Sequence, residues 1–263
     1  MGSYTKLIVD LDGTLYHGRR PLPNAAETMR RVRRTCAVLF LSNNCNQSAN
    51  NLAVRLCNLG FEAHPHEVVS SVTLMVQAVN ELGSTLRVLT LGSGDLDGAL
   101  EEAGHWIVTA NHADVVVAGV DLGLSYERLS RALQALLSGA ILIGANSDAT
   151  YPTEAGPRPA AGAFVGALSG MGFEPSRMCG KPDPWAMKKA FELRGFEADG
   201  ECLLVGDRLD SDILGAQALG IDSALVLTGI STRSDVVESA YRPTHVLRGF
   251  AELPQLLDSL ASK

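Results

Sequence analysis

Short runs of valine, isoleucine and leucine alternate along this chain with longer amphipathic stretches. The apolar runs predict strands at 6–10, 37–42, 86–91, 114–118, 140–144, 201–205 and 223–227. The amphipathic stretches predict helices at about 24–34, 48–59, 67–82, 95–103, 126–138, 160–171, 184–194 and 211–219. This alternation is typical of a parallel sheet with helices on its faces. The sequence therefore predicts an α/β fold.

The first predicted strand ends in two carboxylates, Asp10 and Asp12. Because residues i and i+2 of an extended backbone point to the same side, both should project from the carboxyl end of the strand, where open α/β sheets bind ligands. Such a pair favours a bound cation and suits metal-assisted transfer of an anionic group. One carboxylate would be the nucleophile and the other the general acid and base. An ordinary Asp-x-Asp-Gly turn is the alternative.

The same tetrapeptide occurs again at Asp95–Gly98, in a different context. This copy follows Gly92–Gly94 rather than an apolar strand directly, and it continues into a short helical pattern. Acidic residues in a first helical turn are stabilising, so this copy predicts a helix cap. The glycine-rich run before it is only weak support for a phosphate cradle.

Two other segments carry groups that bind phosphate oxygens. Ser42, Asn43 and Asn44 follow an apolar strand and offer a hydroxyl and two amides. Lys181 stands between glycine and proline, just before a helix that opens with Pro184. Ordinary turn chemistry and a solvated loop lysine are the respective alternatives.

A second acidic segment follows the predicted strand 201–205. Asp207 should emerge at the strand end, and Asp212 should lie in the first turn of the next helix. Carboxylate oxygens at such a position favour Mg²⁺ over zinc. The sequence therefore predicts a magnesium site.

Composition narrows the classes of protein and partner. The net charge is −7, and no Lys/Arg cluster exceeds Arg30–Arg34, which argues against a nucleic-acid partner. No apolar stretch approaches the roughly 20 residues of a membrane span. The five cysteines are odd in number and lack a Cys-x-x-Cys pair, so we expect reduced thiols and no structural zinc. We expect a cytoplasmic protein without a membrane partner. The sequence is compatible with either a monomer or a homo-oligomer.

Taken in order, these motifs resemble those of the haloacid-dehalogenase superfamily, over the whole length of the chain. The motifs are Asp10–Thr14, Ser42 with Asn43, Lys181 in Gly-Lys-Pro, and Gly206–Asp212. Within the superfamily, the chain is similar to the NagD-like phosphatases. The resemblance implies a Rossmann-like, three-layer core with an α/β cap inserted between the second and third motifs.

The resemblance also implies a role for each motif residue. Asp10 would attack phosphorus, and Asp12 would act as general acid and base. Mg²⁺ would be held by Asp10, Asp207 and the backbone carbonyl of Asp12, while Asp212 would orient metal-bound water. The residues implied to bind the transferring phosphoryl group are Ser42, Asn43 and Lys181.

Domain boundaries follow from the gap between the second and third motifs. We expect a catalytic core of residues 1–82 plus 178–263, and a cap of residues 83–177 that selects the substrate. The loop after strand 140–144 is the best candidate for substrate contact. The predicted specificity residues are Asn44, Asn146, Asp148 and Tyr151. Cys45 could give sensitivity to oxidants, but a packed thiol is the preferred interpretation.

The predicted function is Mg²⁺-dependent hydrolysis of a small phosphorylated metabolite through an aspartyl phosphate. The fourth motif is similar to that of glycerol-phosphate, phosphoglycolate and pyridoxal-phosphate phosphatases, and the first two types are preferred. A nucleotide or sugar-phosphate phosphatase is the nearest alternative. A phosphomutase and a phosphometabolite-binding protein without turnover are less favoured.

Overall fold

The computed structural model describes residues 4–109, 112–153 and 155–261, and the chain divides into two compact units. The first unit comprises residues 4–42, 50–69 and 181–261. The second unit comprises residues 43–49 and 70–180. Within the described residues, no helix is long and apolar enough to cross a membrane.

Strands and helices alternate through both units. The strands are β1 (Lys6–Val9), β2 (Tyr16–His17), β3 (Arg20–Pro21), β4 (Ala37–Ser42), β5 (Val68–Ser70), β6 (Arg87–Leu91), β7 (Trp106–Ile107), β8 (Val115–Ala118), β9 (Ile141–Gly144), β10 (Thr150–Tyr151), β11 (Arg158–Pro159), β12 (Arg177–Met178), β13 (Cys202–Gly206), β14 (Asp222–Val226) and β15 (His245–Leu247). The helices are α1 (Ala25–Val32), α2 (Ala49–Asn58), α3 (Ser71–Leu82), α4 (Leu96–Glu102), α5 (Tyr126–Leu137), α6 (Ala161–Ser169), α7 (Pro184–Arg194), α8 (Leu214–Leu219), α9 (Arg233–Glu238) and α10 (Leu253–Ala261).

The first unit is built on a six-stranded sheet in the order β15-β14-β13-β1-β4-β5. Strand β1 pairs in parallel with β13 on one side and with β4 on the other. Val9 lies opposite both Val205 and Phe40, so these three central strands end within two residues of one another. Their apolar side chains are almost wholly buried, as expected for a parallel sheet covered on both faces.

The second unit has its own parallel sheet, in the order β12-β9-β8-β6-β7. Its core includes residues of β6, β8 and β9 packed against α5 and α6. The α/β fold predicted from the sequence is therefore confirmed in both units.

The division between the units differs from the sequence-based boundary at residue 83. Helix α3 belongs to the second unit, where it packs against α4 and β9. The segment 43–49 also belongs to that unit, and the division falls after Gly180 rather than before Met178. An amphipathic pattern shows that a helix buries one face, but not which sheet it covers.

The predicted helix 67–82 was wrong at its start. Val68–Ser70 forms the edge strand β5, and α3 begins only after it. Ser70 caps that helix, since its side chain accepts a hydrogen bond from the backbone N–H of Thr73. The predicted helix 211–219 also differs, because a π-helical turn at Leu209–Ile213 precedes α8.

The second Asp-x-Asp-Gly copy begins α4, but its first aspartate does not cap that helix. Asp95 makes no side-chain cap bond to α4. Its Oδ2 instead accepts a hydrogen bond of 2.7 Å from the backbone N–H of Ser48. Gly94 lies directly against the chain at Asn46, because an added Cβ would be 2.0 Å from the Asn46 carbonyl oxygen. This turn therefore fastens the segment 43–49 within the second unit.

Candidate active site

The motif residues of the first unit converge where its central strands end. The backbone N–H of Asp10 donates to Val205 O at 2.9 Å, so Asp10 lies just beyond the β1 end and beside β13. Asp207 follows β13 directly, and Ser42 is the last residue of β4. This is the edge where the sequence predicted a site, and it is the usual ligand-binding edge of an open α/β sheet.

Lys181 is a buried cation bonded to two of the acidic residues. Its Nζ lies 2.5 Å from Asp10 Oδ1 and 2.8 Å from Asp212 Oδ1, and it also donates to the carbonyl oxygen of Leu41 at 2.9 Å. The lysine side chain is only 3 % exposed. A solvated loop lysine, the alternative considered from the sequence, is therefore excluded.

Asp10, Asp207 and Asp212 form a cluster of carboxylates. One oxygen from each lies within 4.8 Å of the others. An all-oxygen donor set of this kind fits a hard cation such as Mg²⁺. The side chain of Asp12 is outside this cluster, and a metal contact through its backbone carbonyl stays a prediction.

Glycines allow the backbone to approach two of these carboxylates. A Cβ on Gly13 would lie 2.5 Å from Asp207 Oδ2, and a Cβ on Gly229 would lie 1.8 Å from the same oxygen. Gly13 also has a φ of 87°, which other residues rarely adopt. A Cβ on Gly206 would lie 2.2 Å from Asp212 Cγ. The carboxylates are thus enclosed by main chain, and side chains at these glycines would displace them.

Sequence reasoning missed the loop after β14 as part of the site. The backbone N–H of Ile230 donates to Asp207 Oδ2 at 2.7 Å, and Thr228 Oγ1 donates to Gly13 O at 2.7 Å. The signal was present, because Thr228–Thr232 contains one glycine and three hydroxyl residues and follows a buried strand. Thr14 was also missed as a contact, and its Oγ1 donates to Asp10 Oδ2 at 3.2 Å.

Burial and mutual repulsion raise the pKa of these acids. Burial raises the pKa of Asp10 to about 7, with a contribution from Asp212 and partial opposition from Lys181. Burial and the charges of Asp10 and Asp212 raise the pKa of Asp207 to about 8. Burial alone would lower the pKa of Lys181, but its two carboxylate partners raise it. The cluster therefore gains from a bound cation at neutral pH.

Asp12 lies in a different environment from Asp10. Its side chain is 48 % exposed, and Oδ1 is 4.0 Å from His17 Nδ1. Partial burial raises the pKa of Asp12, and the charges of Arg55 and His17 oppose that rise. The two carboxylates of the first motif thus differ in contacts and exposure, as expected if they have different chemical roles.

The other predicted phosphate and specificity residues of this region lie at the end of β4 and just after it. Ser42 is buried at 8 % exposure and belongs to the first unit. Asn43 belongs to the second unit, and its Nδ2 donates to Asp148 Oδ2 at 3.1 Å. Asn44 Oδ1 accepts from the backbone N–H groups of residues 46 and 47, at 2.9 and 2.8 Å.

The predicted specificity loop contains one buried and one exposed candidate. Asn146 is only 2 % exposed, and its Nδ2 donates to Asn43 O at 2.7 Å. Tyr151 is 37 % exposed. Direct contact of Asn44, Asn146, Asp148 or Tyr151 with substrate stays a prediction.

Cys45, in the second unit, is a packed thiol. It is 5 % exposed, and its Sγ accepts from the backbone N–H of Val120 at 3.4 Å. Burial raises the pKa of this thiol to about 11, which disfavours the reactive thiolate.

Two family models match the chain. Residues 7–105 match the haloacid dehalogenase-like hydrolase model, and residues 178–253 match a related model of HAD-like hydrolases. The matched segments contain Asp10, Asp12, Ser42, Lys181 and Asp207.

Several phosphatases are similar to this chain over nearly its whole length. The D-glycerol 3-phosphate phosphatase of Mycobacterium tuberculosis is 37 % identical, across 95 % of this chain and 70 % of the relative. The acid sugar phosphatase of Staphylococcus aureus is 33 % identical, across 96 % of this chain and 97 % of the relative. A crystal structure of a glycerol phosphate phosphatase from M. tuberculosis in complex with magnesium superposes with a TM-score of 0.87, at 36 % identity, covering 96 % of this chain and 78 % of that one.

Proposed function

The chain belongs to the haloacid-dehalogenase-like hydrolases and is a phosphoric monoester hydrolase, and from this premise we propose that it hydrolyses a small phosphorylated metabolite through an aspartyl phosphate on Asp10. The observation that carries the proposal is the contact between Asp10 and Lys181, at 2.5 Å, beside two further buried carboxylates. A nucleophilic carboxylate needs nearby positive charge before it can approach a phosphate dianion.

In the first step, an oxygen of Asp10 bonds to phosphorus as the ester P–O bond breaks. The carboxyl proton of Asp12 passes to the leaving oxygen, so the products are an alcohol and the aspartyl phosphate. Two contacts orient the nucleophile, since Lys181 bonds to Oδ1 and Thr14 bonds to Oδ2. The raised pKa of Asp12 supports its role as the acid.

In the second step, Asp12 acts as a base. Its carboxylate accepts a proton from a water molecule, and the water oxygen attacks phosphorus as the bond to Asp10 breaks. Inorganic phosphate leaves, and Asp12 is again a carboxylic acid. The partial exposure of Asp12 supports this assignment, because the base must reach both substrate and water.

The metal of this site is Mg²⁺, held by Asp10, Asp207 and the backbone carbonyl of Asp12. When bound, Mg²⁺ supplies positive charge that offsets repulsion between the nucleophile and the phosphate. Asp212 orients rather than ligates, because Oδ2 accepts from the backbone N–H of Arg208 at 3.0 Å and Oδ1 lies 2.8 Å from Lys181 Nζ.

Ser42, Asn43 and Lys181 bind the transferring phosphoryl group. Ser42 and Lys181 come from the first unit, and Lys181 donates to the carbonyl oxygen of the residue before Ser42. A hydroxyl, an amide and an ammonium supply donors that match phosphate oxygens.

The substrate is a phosphate ester of a small polyol or of a small carboxylic acid, and glycerol 3-phosphate is the first choice. The named activity of the M. tuberculosis relative supports this choice. A sugar phosphate is the second candidate, because the S. aureus relative is named an acid sugar phosphatase.

The test is phosphate release from glycerol 3-phosphate, phosphoglycolate, sugar phosphates, nucleoside monophosphates and p-nitrophenyl phosphate, with Mg²⁺ present. We expect the highest kcat/KM with glycerol 3-phosphate.

Asp10→Asn should remove turnover while circular dichroism stays unchanged, because an amide cannot form the aspartyl phosphate. Asp210→Asn is the matched control, since Asp210 is 67 % exposed and lies outside the carboxylate cluster. Activity of Asp10→Asn within about tenfold of the parent would contradict the nucleophile assignment.

We also propose that this enzyme works in the cytoplasm with a small phosphate ester as its partner. The five cysteines are all free, which suits a reducing compartment. Cell fractionation with an antibody against the chain tests this placement, and recovery in a secreted or membrane fraction would contradict it.

A further inference from the structure

Asn146 is a buried amide that contacts the chain at two separate places. Its Nδ2 donates to Asn43 O at 2.7 Å. It also packs against the backbone of Gly180, because a Cβ there would lie 2.7 Å from Asn146 Cβ. Asn43 directly follows Ser42, and Gly180 directly precedes Lys181. One buried side chain therefore touches the neighbours of two proposed phosphate-binding residues.

Asp148 bonds to the side chain of Asn43, the residue whose backbone carbonyl accepts from Asn146. Its Oδ2 accepts from Asn43 Nδ2 at 3.1 Å, and its backbone N–H donates to Asn146 Oδ1 at 3.2 Å. Asn43 is thus bonded through its backbone to Asn146 and through its side chain to Asp148. The side chain of Ser71 also bonds to Asn146, because Asn146 Nδ2 donates to Ser71 Oγ at 3.3 Å.

We propose that Asn146 and Asp148 are positioning residues for the phosphate-binding groups, and this inference rests on the proposed function. By holding Asn43 and the Gly180 backbone, they set the spacing between the two chain segments that lead to Ser42 and Lys181. The phosphoryl group is common to every substrate. Loss of these contacts should therefore weaken the binding of all phosphate esters, and of inorganic phosphate, by a similar factor.

The experiment uses the full chain with Mg²⁺ and inorganic phosphate as the probe. Asn146→Ala and Asp148→Ala should raise the competitive inhibition constant of phosphate about three- to tenfold, the scale of one lost hydrogen bond. The KM values for p-nitrophenyl phosphate and glycerol 3-phosphate should rise by the same factor, with a smaller change in kcat. The phosphate-induced rise in Tm should shrink in parallel.

Matched variants separate positioning from a general loss of structure. Asp148→Asn keeps an oxygen that can accept from Asn43, so it should restore phosphate binding to within about twofold of the parent. Asn80→Ala removes a 2.8 Å hydrogen bond to His105 in the same unit and should leave phosphate binding unchanged. If Asn146→Ala does not fold, the Asp148 pair decides the question.

Three results would overturn the inference. The first is unchanged phosphate binding in the alanine variants, and the second is phosphate binding that Asp148→Asn does not restore. The third is weaker binding of glycerol 3-phosphate alone, which would instead indicate contact with the leaving group. An active Asp10→Asn variant would contradict the proposed function separately. In that event the phosphate-induced change in Tm still tests the positioning role.

Discussion

The single positive charge of Lys181 interacts with two carboxylates at once. Its ammonium bonds to Asp10 and Asp212 and is almost fully buried. We expect Lys181→Met to lower kcat about 10²–10³-fold, because the charge proposed to balance the phosphoryl oxygens is lost. Steady-state kinetics with p-nitrophenyl phosphate measure this change.

The exposed Lys188 of α7, the helix that follows Lys181 in the chain, is the control for that substitution. Lys188→Met should keep full activity, since the Lys188 side chain is exposed whereas that of Lys181 is buried. A raised KM at unchanged kcat for Lys181→Met would mean that the lysine stabilises the bound substrate and not the transition state.

Among the elements of the fold, the loops after three neighbouring strands together build the proposed metal site. Gly13 follows β1, Asp207 follows β13 and Gly229 follows β14. Because a Cβ on Gly229 would lie 1.8 Å from Asp207 Oδ2, Gly229→Ala should displace that carboxylate. We expect the Mg²⁺ concentration for half-maximal activity to rise at least about tenfold, the scale of a disturbed metal surround.

Titration of Mg²⁺ against both activity and Tm measures the effect of Gly229→Ala. Gly200→Ala is the control, because an added Cβ there meets nothing within 4 Å. The same Mg²⁺ dependence in both variants would show that the loop after β14 does not support the metal site.

At the scale of the whole molecule, the buried acids make stability depend on pH and metal together. The pKa values of Asp10 and Asp207 rise to about 7 and about 8 in the folded chain, so the folded state binds more protons than the unfolded state between about pH 4 and 8. This contribution to stability is complete below about pH 4 and is lost as pH rises through the folded-state values. We therefore expect the gain in Tm on adding Mg²⁺ to increase from pH 5 to pH 8, because Mg²⁺ binds the ionised acids.

The difference between Mg²⁺ and metal-free samples is the informative quantity. Burial lowers the pKa of His105 and His245, which gives the metal-free protein an opposing rise in stability with pH. Those histidines lie outside the carboxylate cluster, so their effect cancels in the difference. An equal gain in Tm at pH 5 and pH 8 would contradict the assigned cause.

Local patterns determined the strands and the acids at their ends. Most predicted elements agree with the structure to within two residues, because period and composition act over a few neighbouring residues. Asp10 and Asp207 could be placed together from sequence, since parallel strands end at one edge. Strands of two or three residues are too short to show a period, and none of them was predicted; these are β2, β3, β5, β7, β10, β11, β12 and β15. The helices α9 and α10 were also not predicted.

Contacts between distant parts of the chain were decided only by the tertiary structure. Gly229 approaches Asp207 because β13 and β14 pair in one register, and Asn146 reaches Asn43 across 103 residues of sequence. Helix α3 joined the second unit because its buried face packs against α4 and β9. No local pattern contains these distances, since they depend on which strands pair and where the connecting chain crosses. The sequence alone therefore determined which groups are proposed to react, and the tertiary structure decided what holds them in place.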